Sequence, residues 1–219
     1  MTATRQAEGQ ATADDALQGL RRVLVAEDEH LLARTLAVSL ESLGLTVVGP
    51  VSDGGKAVEL AARERPDLAI LDIRMPEVDG ITAGRQLYQE LNVPVVILSA
   101  FSDAQYVNQS TAFGVFGYLL KPVDLDELRV GLAVAWHRYR EHLKLTGQVA
   151  DLETKLRNRK VIERAKGLLM KHAGIDEEEA MRRLQKQARD ARKPMVELAQ
   201  ALIDANGLVA LGEGKGRGN

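Results

Sequence analysis

The 219-residue chain has no cysteine, which excludes a disulfide framework and any thiolate metal site. It also lacks an apolar run long enough to cross a bilayer, and its first twenty residues lack the apolar core of a signal peptide. A cytoplasmic protein is expected from these absences. An excess of charge of one sign is missing too: the formal net charge is −2, which argues neither for nor against nucleic acid. What remains is an ordinary globular composition, 45% apolar and 27% charged. The length suits one domain of common size followed by a smaller one.

Charge is uneven along the chain. Residues 157–204 carry twelve Lys and Arg against eight Asp and Glu, so a basic module follows a more acidic one. Residues 1–20, rich in Ala, Thr, Gln and Asp without apolar periodicity, read as a disordered leader. From Arg22 onward, short β-rich runs begin at Val23 (VLVA), Thr46 (TVVGPV), Leu68 (LAILD), Val93 (VPVVILSA) and Val115 (VFGYLLKP). Helical stretches alternate with them, the pattern of βαβ units. This predicts an α/β fold with a doubly wound, five-stranded parallel sheet over residues 21–136.

Ser102 with Gln105 and Asp124 with Glu127 fit capping boxes that start the fourth and fifth predicted helices. The fifth continues past Trp136 towards Arg157, giving a helical linker over residues 137–156. Leu145, Val149, Leu152 and Leu156 recur there at spacings of four, three and four. That seam fits either a coiled-coil dimer or a connector packed on its own chain. Three short helical patterns follow, predicting an all-α three-helix domain over residues 157–205. Asp176 and Glu179 form another possible capping box, with Ile175 placed to staple against Ala180. Residues 206–219 read as a flexible, glycine-rich tail.

In an open parallel sheet, ligands bind beyond the carboxyl ends of the strands. Glu27 and Asp28 follow the first strand, Asp72 ends the third, Ser99 the fourth, and Lys121 the fifth. Clustered carboxylates need a cation, and hard oxygen ligands favour Mg²⁺ with room left for a phosphate. Acidic strand ends are also common as plain solvated residues, but this joint set is specific. The segments VLVAEDE, LAILDIRMPEVDG, VILSA and GYLLKP resemble the receiver domain of two-component response regulators. The resemblance implies phosphorylation of Asp72 by a sensor histidine kinase, with Lys121 as phosphate partner and Ser99 as switch hydroxyl. It implies Mg²⁺ held by Glu27, Asp28, Asp72 and the backbone carbonyl of Arg74. Tyr118 would be the switch aromatic, although a half-buried strand tyrosine reads the same way without the family. The family also usually has a cis bond before the proline at the position of Pro122, a form X-Pro bonds can adopt, but the sequence alone does not decide it.

In the basic module, Val161, Ile162, Ala165, Leu168 and Leu169 share one helical face, while Lys160, Arg164, Gly167 and Lys171 line the opposite one. Gly167 costs about 1 kcal/mol relative to Ala in mid-helix, which suggests close approach by another backbone. Ala180, Met181, Leu184 and Ala188 form the apolar face of the next helix, with Arg182, Lys186 and Arg189 behind it. Such cationic faces are either simply solvated or phosphate-binding. Residues 157–204 contain no Phe, Tyr or Trp, so only arginine planes and His172 are available to stack on bases. The run RKVIERAKGLLMKHAGIDEEEAMRRLQKQARDARKPMVELAQALI resembles the ANTAR domain of transcription antitermination regulators. That implies binding to paired RNA hairpins in a leader transcript and a homodimer favoured by phosphorylation. The RNA-binding candidates are Arg159, Lys160, Arg164, Lys166, Gly167, Lys171, Arg189 and Arg192. Met181 departs from the aromatic many relatives carry there. A DNA-binding regulator and a receiver with a helical protein-interaction output are the alternatives. Neither alternative nor the leading reading makes the chain an enzyme beyond its own Mg²⁺-dependent phosphorylation.

Overall fold

The computed structural model describes residues 17–100 and 114–213. Strands β1 (Arg22–Ala26), β2 (Thr46–Val51), β3 (Leu68–Asp72), β4 (Val95–Ser99) and β5 (Val115–Leu120) form one parallel sheet in the order β2-β1-β3-β4-β5. Helices α1 (His30–Ser42), α2 (Gly54–Glu64) and α3 (Gly80–Leu91) lie in the first three crossovers. The predicted fourth helix, with its Ser102 and Gln105, lies outside the described residues. After β5 come α4 (Leu125–Ala173), α5 (Glu177–Ala191) and α6 (Met195–Glu213).

Side chains alternate across a strand, and here they sort into two cores. Val23, Val25, Ile70, Val96 and Leu98 pack with Leu36 and Leu40 of α1 and with Leu128 and Leu132 of α4. Leu24, Ala26, Ala69, Leu71 and Ile97 pack with Ala57 and Ala61 of α2 and with Ala83 and Leu87 of α3. Both faces are therefore covered, which is why β3 and β4 are buried throughout and read as unbroken apolar runs. At position 131 a Cβ would meet Leu119 Cδ2 at 2.5 Å, so Gly131 lets α4 lie close on β5.

Carboxylates cap four of the helix starts, whereas α1 begins after Glu29 with no side-chain cap. Asp53 accepts from the Lys56 amide at 2.9 Å, and Asp79 from the Ile81 and Thr82 amides at 2.9 and 2.8 Å. The Asp124–Glu127 box is reciprocal: the Glu127 amide donates to Asp124 at 2.8 Å and the Asp124 amide to Glu127 at 3.3 Å. At α5 the Glu179 amide donates to Asp176 at 2.8 Å.

Three expectations are corrected. The leader does not run to residue 20, because Leu17 and Leu20 are buried in the α1/α4 core. Trp136 Nε1 and Arg140 Nη1 both donate to the Gln18 carbonyl, at 3.1 and 3.3 Å. Nor does a helix begin near residue 158: α4 continues unbroken from Leu125 to Ala173. No proline interrupts it, and Gly147 and Gly167 alone do not end a helix. The last helix reaches Glu213, past the expected start of the tail at 206.

The chain divides into two compact units, residues 1–143 and 144–219. The second has a small core in which Ala165, Leu184 and Ala199 are buried, flanked by Val161, Ile162, Leu169, Met195, Leu202 and Ile203. No helix among the described residues is long and apolar enough to cross a membrane.

Candidate functional site

The sheet order reverses its direction of winding between β1 and β3, and the polar residues gather at that edge. Glu27 follows β1 and Asp72 closes β3; they are 3% and 7% exposed, while Asp28 faces solvent. Their carboxylate oxygens lie within 4.8 Å of one another. Like charges at that separation repel by about 3 kcal/mol at an effective dielectric of ~20, so the cluster needs a cation.

Part of the compensation is built in. Lys121 Nζ lies 2.7 Å from Glu27 Oε2 and 2.9 Å from Asp72 Oδ2. The Lys121 amide donates to the Ser99 carbonyl at 2.9 Å, which seats the segment after β5 against the end of β4. Burial works against the Lys121 ammonium, but Glu27 and Asp72 outweigh it and hold its pKa above the ordinary lysine value. Burial pushes the Glu27 carboxyl above the usual carboxylate range; the Lys121 contact pulls it down and the charge of Asp72 raises it further. The Lys121–Pro122 bond is cis, and so is Gly49–Pro50.

One lysine does not satisfy this pocket. Glu27 Oε1 accepts a long 3.3 Å bond from the Glu29 amide, and its buried Oε2 takes no well-aligned hydrogen bond despite the nearby ammonium. Three oxygen-bearing acids with an under-bonded buried oxygen fit a hard divalent cation such as Mg²⁺. Ser99 is buried at the end of β4, its hydroxyl donating to the Ala100 carbonyl at 3.0 Å. Tyr118 is half-buried on β5 and packs against the α2/α3 core. Arg74 is exposed two residues beyond Asp72 and lines a groove with Met75, Thr82 and Arg85.

Sequence reasoning passed over Gly80. Its amide donates to the Ile73 carbonyl at 3.0 Å, and a Cβ there would overlap the Asp72 carbonyl. The Asp79–Gly80 pair was the available signal: a capping acid followed by a residue with no side chain.

In the second unit, Arg159, Lys160, Arg164, Gly167 and Lys171 are exposed on α4, and Arg189 and Arg192 at the end of α5. Among the described residues, none approaches the open side of Gly167. The expected close approach to this glycine is therefore not made by any of them. Among the described residues, the five cations on α4 and α5 named here besides Lys171, together with Lys171 and Lys186, make no ion pair. Arg182 and Arg183 instead both pair with Glu179, at 2.7 and 2.9 Å, and Lys193 pairs with Glu197 at 2.7 Å.

Lys166 is the exception among the candidates. It is 9% exposed, with Nζ 2.5 Å from Glu163 and 2.7 Å from Glu177. Its pKa is held above the ordinary lysine value by Glu163 and then Glu177. Unlike the other cationic candidates, Lys166 has its ammonium already paired with two carboxylates.

The seam residues Leu145, Val149, Leu152 and Leu156 are each more than half exposed.

Comparison with known proteins agrees with both halves. Residues 23–133 match the response regulator receiver domain and residues 150–203 the ANTAR domain. The transcriptional regulatory protein PdtaR of Mycobacterium tuberculosis is 40% identical over 187 residues, 85% of this chain and 91% of PdtaR. The signal receiver domain of a modulated diguanylate cyclase from Desulfovibrio desulfuricans superimposes with a TM-score of 0.53 at 35% identity, covering 56% of this chain and 98% of that one. The REC domain of AraT from Geobacillus stearothermophilus gives 0.51 at 28% identity, covering 57% and 98%. Five parallel strands, an acid–lysine cluster at their carboxyl edge and a C-terminal helical module thus place the chain in the family of two-component response regulators with a receiver domain and an ANTAR output domain.

Proposed function

We propose that phosphorylation of Asp72 by a sensor histidine kinase controls binding of the ANTAR domain to paired RNA hairpins in nascent transcripts, and so causes transcription antitermination. The regulator class and its RNA-binding output follow from the two matched domains. The observation that carries the finer reading is the contact of Lys121 with Asp72 at 2.9 Å inside a cluster of three acids. An Asp72 carboxylate oxygen forms the new bond to phosphorus while the bond from phosphorus to the donor breaks and the donor group leaves. Glu27, Asp28, Asp72 and the Arg74 carbonyl would hold Mg²⁺, which when bound would supply neutralisation of phosphoryl charge. Lys121 stays on the modified side chain as a second positive charge. Ser99 exchanges its bond to the Ala100 carbonyl for one to a phosphoryl oxygen, and Tyr118 moves into the space beside it.

The output is read through α4, whose sequence begins in the receiver and ends in the ANTAR domain. A second copy covers the exposed Leu145–Val149–Leu152–Leu156 seam, and phosphorylation favours that dimer. Arg159, Lys160, Arg164, Lys171, Arg189 and Arg192 contact RNA phosphates or bases, with Lys186 added on its lack of an ion pair. Gly167 lets the RNA backbone come close to the helix.

The test combines labelling and binding. Mg²⁺ and a small phosphodonor should label the chain and raise both its sedimenting mass and its affinity for a synthetic two-hairpin RNA. Asp72→Asn should reduce labelling by at least about a hundredfold, as expected for loss of the attacking group. Undiminished labelling of that variant would refute the phosphoacceptor assignment. Equal binding of duplex DNA at the same salt would replace RNA by DNA as the ligand.

A further inference from the structure

We infer that Lys166 is a positioning residue that clamps α5 to α4, and that it makes no contact with RNA. The inference rests on the RNA-binding reading of the second unit and deepens it. On α4, Lys166 lies away from the stripe of Lys160, Arg164, Gly167 and Lys171. It falls beside Ile162 and Leu169, at the margin of the small core. Its stem is buried there, and its ammonium emerges between two carboxylates. Glu163 is one turn back on the same helix, whereas Glu177 opens α5 beyond the turn at Gly174, which has φ +63°. The contact with Glu177 therefore crosses from one helix to the next.

Two carboxylates around one ammonium leave the group negative as a whole. A phosphate brought to Lys166 would meet that negative charge, unlike one brought to Arg164 or Lys171, which make no ion pair. The same arrangement suits a clamp. Glu177 sits in the first turn of α5, just after the cap Asp176, where negative charge is favoured by the helix dipole, and Lys166 ties that turn to α4. Few side chains are fully buried between these helices, so their relative placement depends on such polar ties more than it would in a large core. The proposed RNA contacts are divided between α4 (Arg164, Lys171) and α5 (Lys186, Arg189), so this placement decides whether they meet one RNA together.

The sign of one substitution separates clamp from contact. Glu177→Gln removes a negative charge beside Lys166; a direct phosphate contact would then bind RNA more tightly, whereas loss of a clamp weakens binding. Full-length protein and a synthetic two-hairpin RNA are titrated across a range of salt. Glu177→Gln and Lys166→Gln should each weaken binding about two- to fivefold, the worth of one surface ion pair. Both should leave the slope of log affinity against log salt unchanged, and the double variant should be no worse than either single. Arg164→Gln should lower that slope by about 0.7 to 0.9, one phosphate contact. Hydrogen exchange in peptides spanning residues 174–184 should be faster in the Lys166 and Glu177 variants and unaltered in Arg164→Gln. Tighter binding by Glu177→Gln, a reduced slope in Lys166→Gln, or unaltered exchange in both overturns the inference. If Lys166→Gln does not fold, Lys166→Met, which keeps the apolar stem, and Glu177→Gln carry the test. If the wild-type chain binds no RNA, the proposed function fails and the exchange measurement alone decides the clamp.

Discussion

The two units treat charge in opposite ways. In the receiver, Glu27 and Asp72 are buried at the end of a sheet whose two faces are both filled, and their charge is met by Lys121 at fixed distances. In the C-terminal unit, Lys160, Arg164, Lys171, Lys186, Arg189 and Arg192 stand exposed over a core with few fully buried side chains. Chemistry at one atom needs groups held rigidly and dry: repulsion among buried acids makes a cation welcome there, and positive charge such as that of Lys121 is what offsets the acids for an anionic group. Reading a long polyanion needs accessible charges with no internal partner, and a large core adds little to that. The stability of the molecule should accordingly be uneven, and that unevenness is measurable.

Core truncation should break the comparison most visibly. Leu132→Ala in the receiver and Leu184→Ala in the C-terminal unit each remove a fully buried leucine, at a cost of about 2–5 kcal/mol. The receiver has two large clusters to absorb the loss and should stay folded with a lower melting temperature. The C-terminal unit should lose its cooperative transition altogether. Circular dichroism reports both units, while the single tryptophan, Trp136, lies in the receiver and reports that unit by fluorescence. If Leu184→Ala melted cooperatively at nearly the wild-type temperature, the C-terminal core would be sturdier than its few buried side chains suggest.

Much of the receiver was legible because its chemistry stands where apolar runs stop. A buried strand tends to end where a polar residue is needed, so Glu27, Asp72 and Ser99 mark the strand ends and are the candidates the sequence offers. Other features left no such mark. Leu17 and Leu20 occupy a single turn, which has no period to detect, yet both are buried. A change of composition near Arg157 suggested a domain edge, but composition does not end a helix, and α4 runs on to Ala173. The sequence puts Lys166 among the RNA-binding cations and on neither helical face, and no periodicity points to the acid beyond Gly174 that claims its ammonium.

The leader turn gives the next largest effect. Leu20→Ala should cost the receiver about 2 kcal/mol or more, since a buried leucine is truncated. It should also shift Trp136 emission to the red, as the indole loses the Gln18 carbonyl and its apolar cover. The C-terminal unit should melt as before. An unshifted emission spectrum would mean that the turn from Leu17 to Leu20 is dispensable.

The smallest expected effect sharpens the contrast between enclosed and exposed charge. Asp53 in the receiver and Glu179 in α5 both have carboxyls held below the usual range, Asp53 by Lys56 and Glu179 by Arg183 with Arg182 beside it. A lowered folded pKa means that the associated stability is complete above the ordinary carboxylate value and is lost as pH falls through the folded one. Both groups therefore contribute to acid sensitivity with the same sign. They differ in cover: the Asp53 side chain is 9% exposed and also accepts from the Lys56 amide, whereas Glu179 is 32% exposed and its carboxylate, among the described residues, is bound by arginine side chains. At about 1 M salt the Debye length shrinks to about 3 Å, which screens solvated pairs far more than covered ones. Carbon-detected titration of the two carboxyls should show Glu179 moving back towards its ordinary value in high salt while Asp53 stays low. If both moved together, the ion pair with Lys56 would account for the shift at Asp53, and the amide bond at its helix start would contribute little.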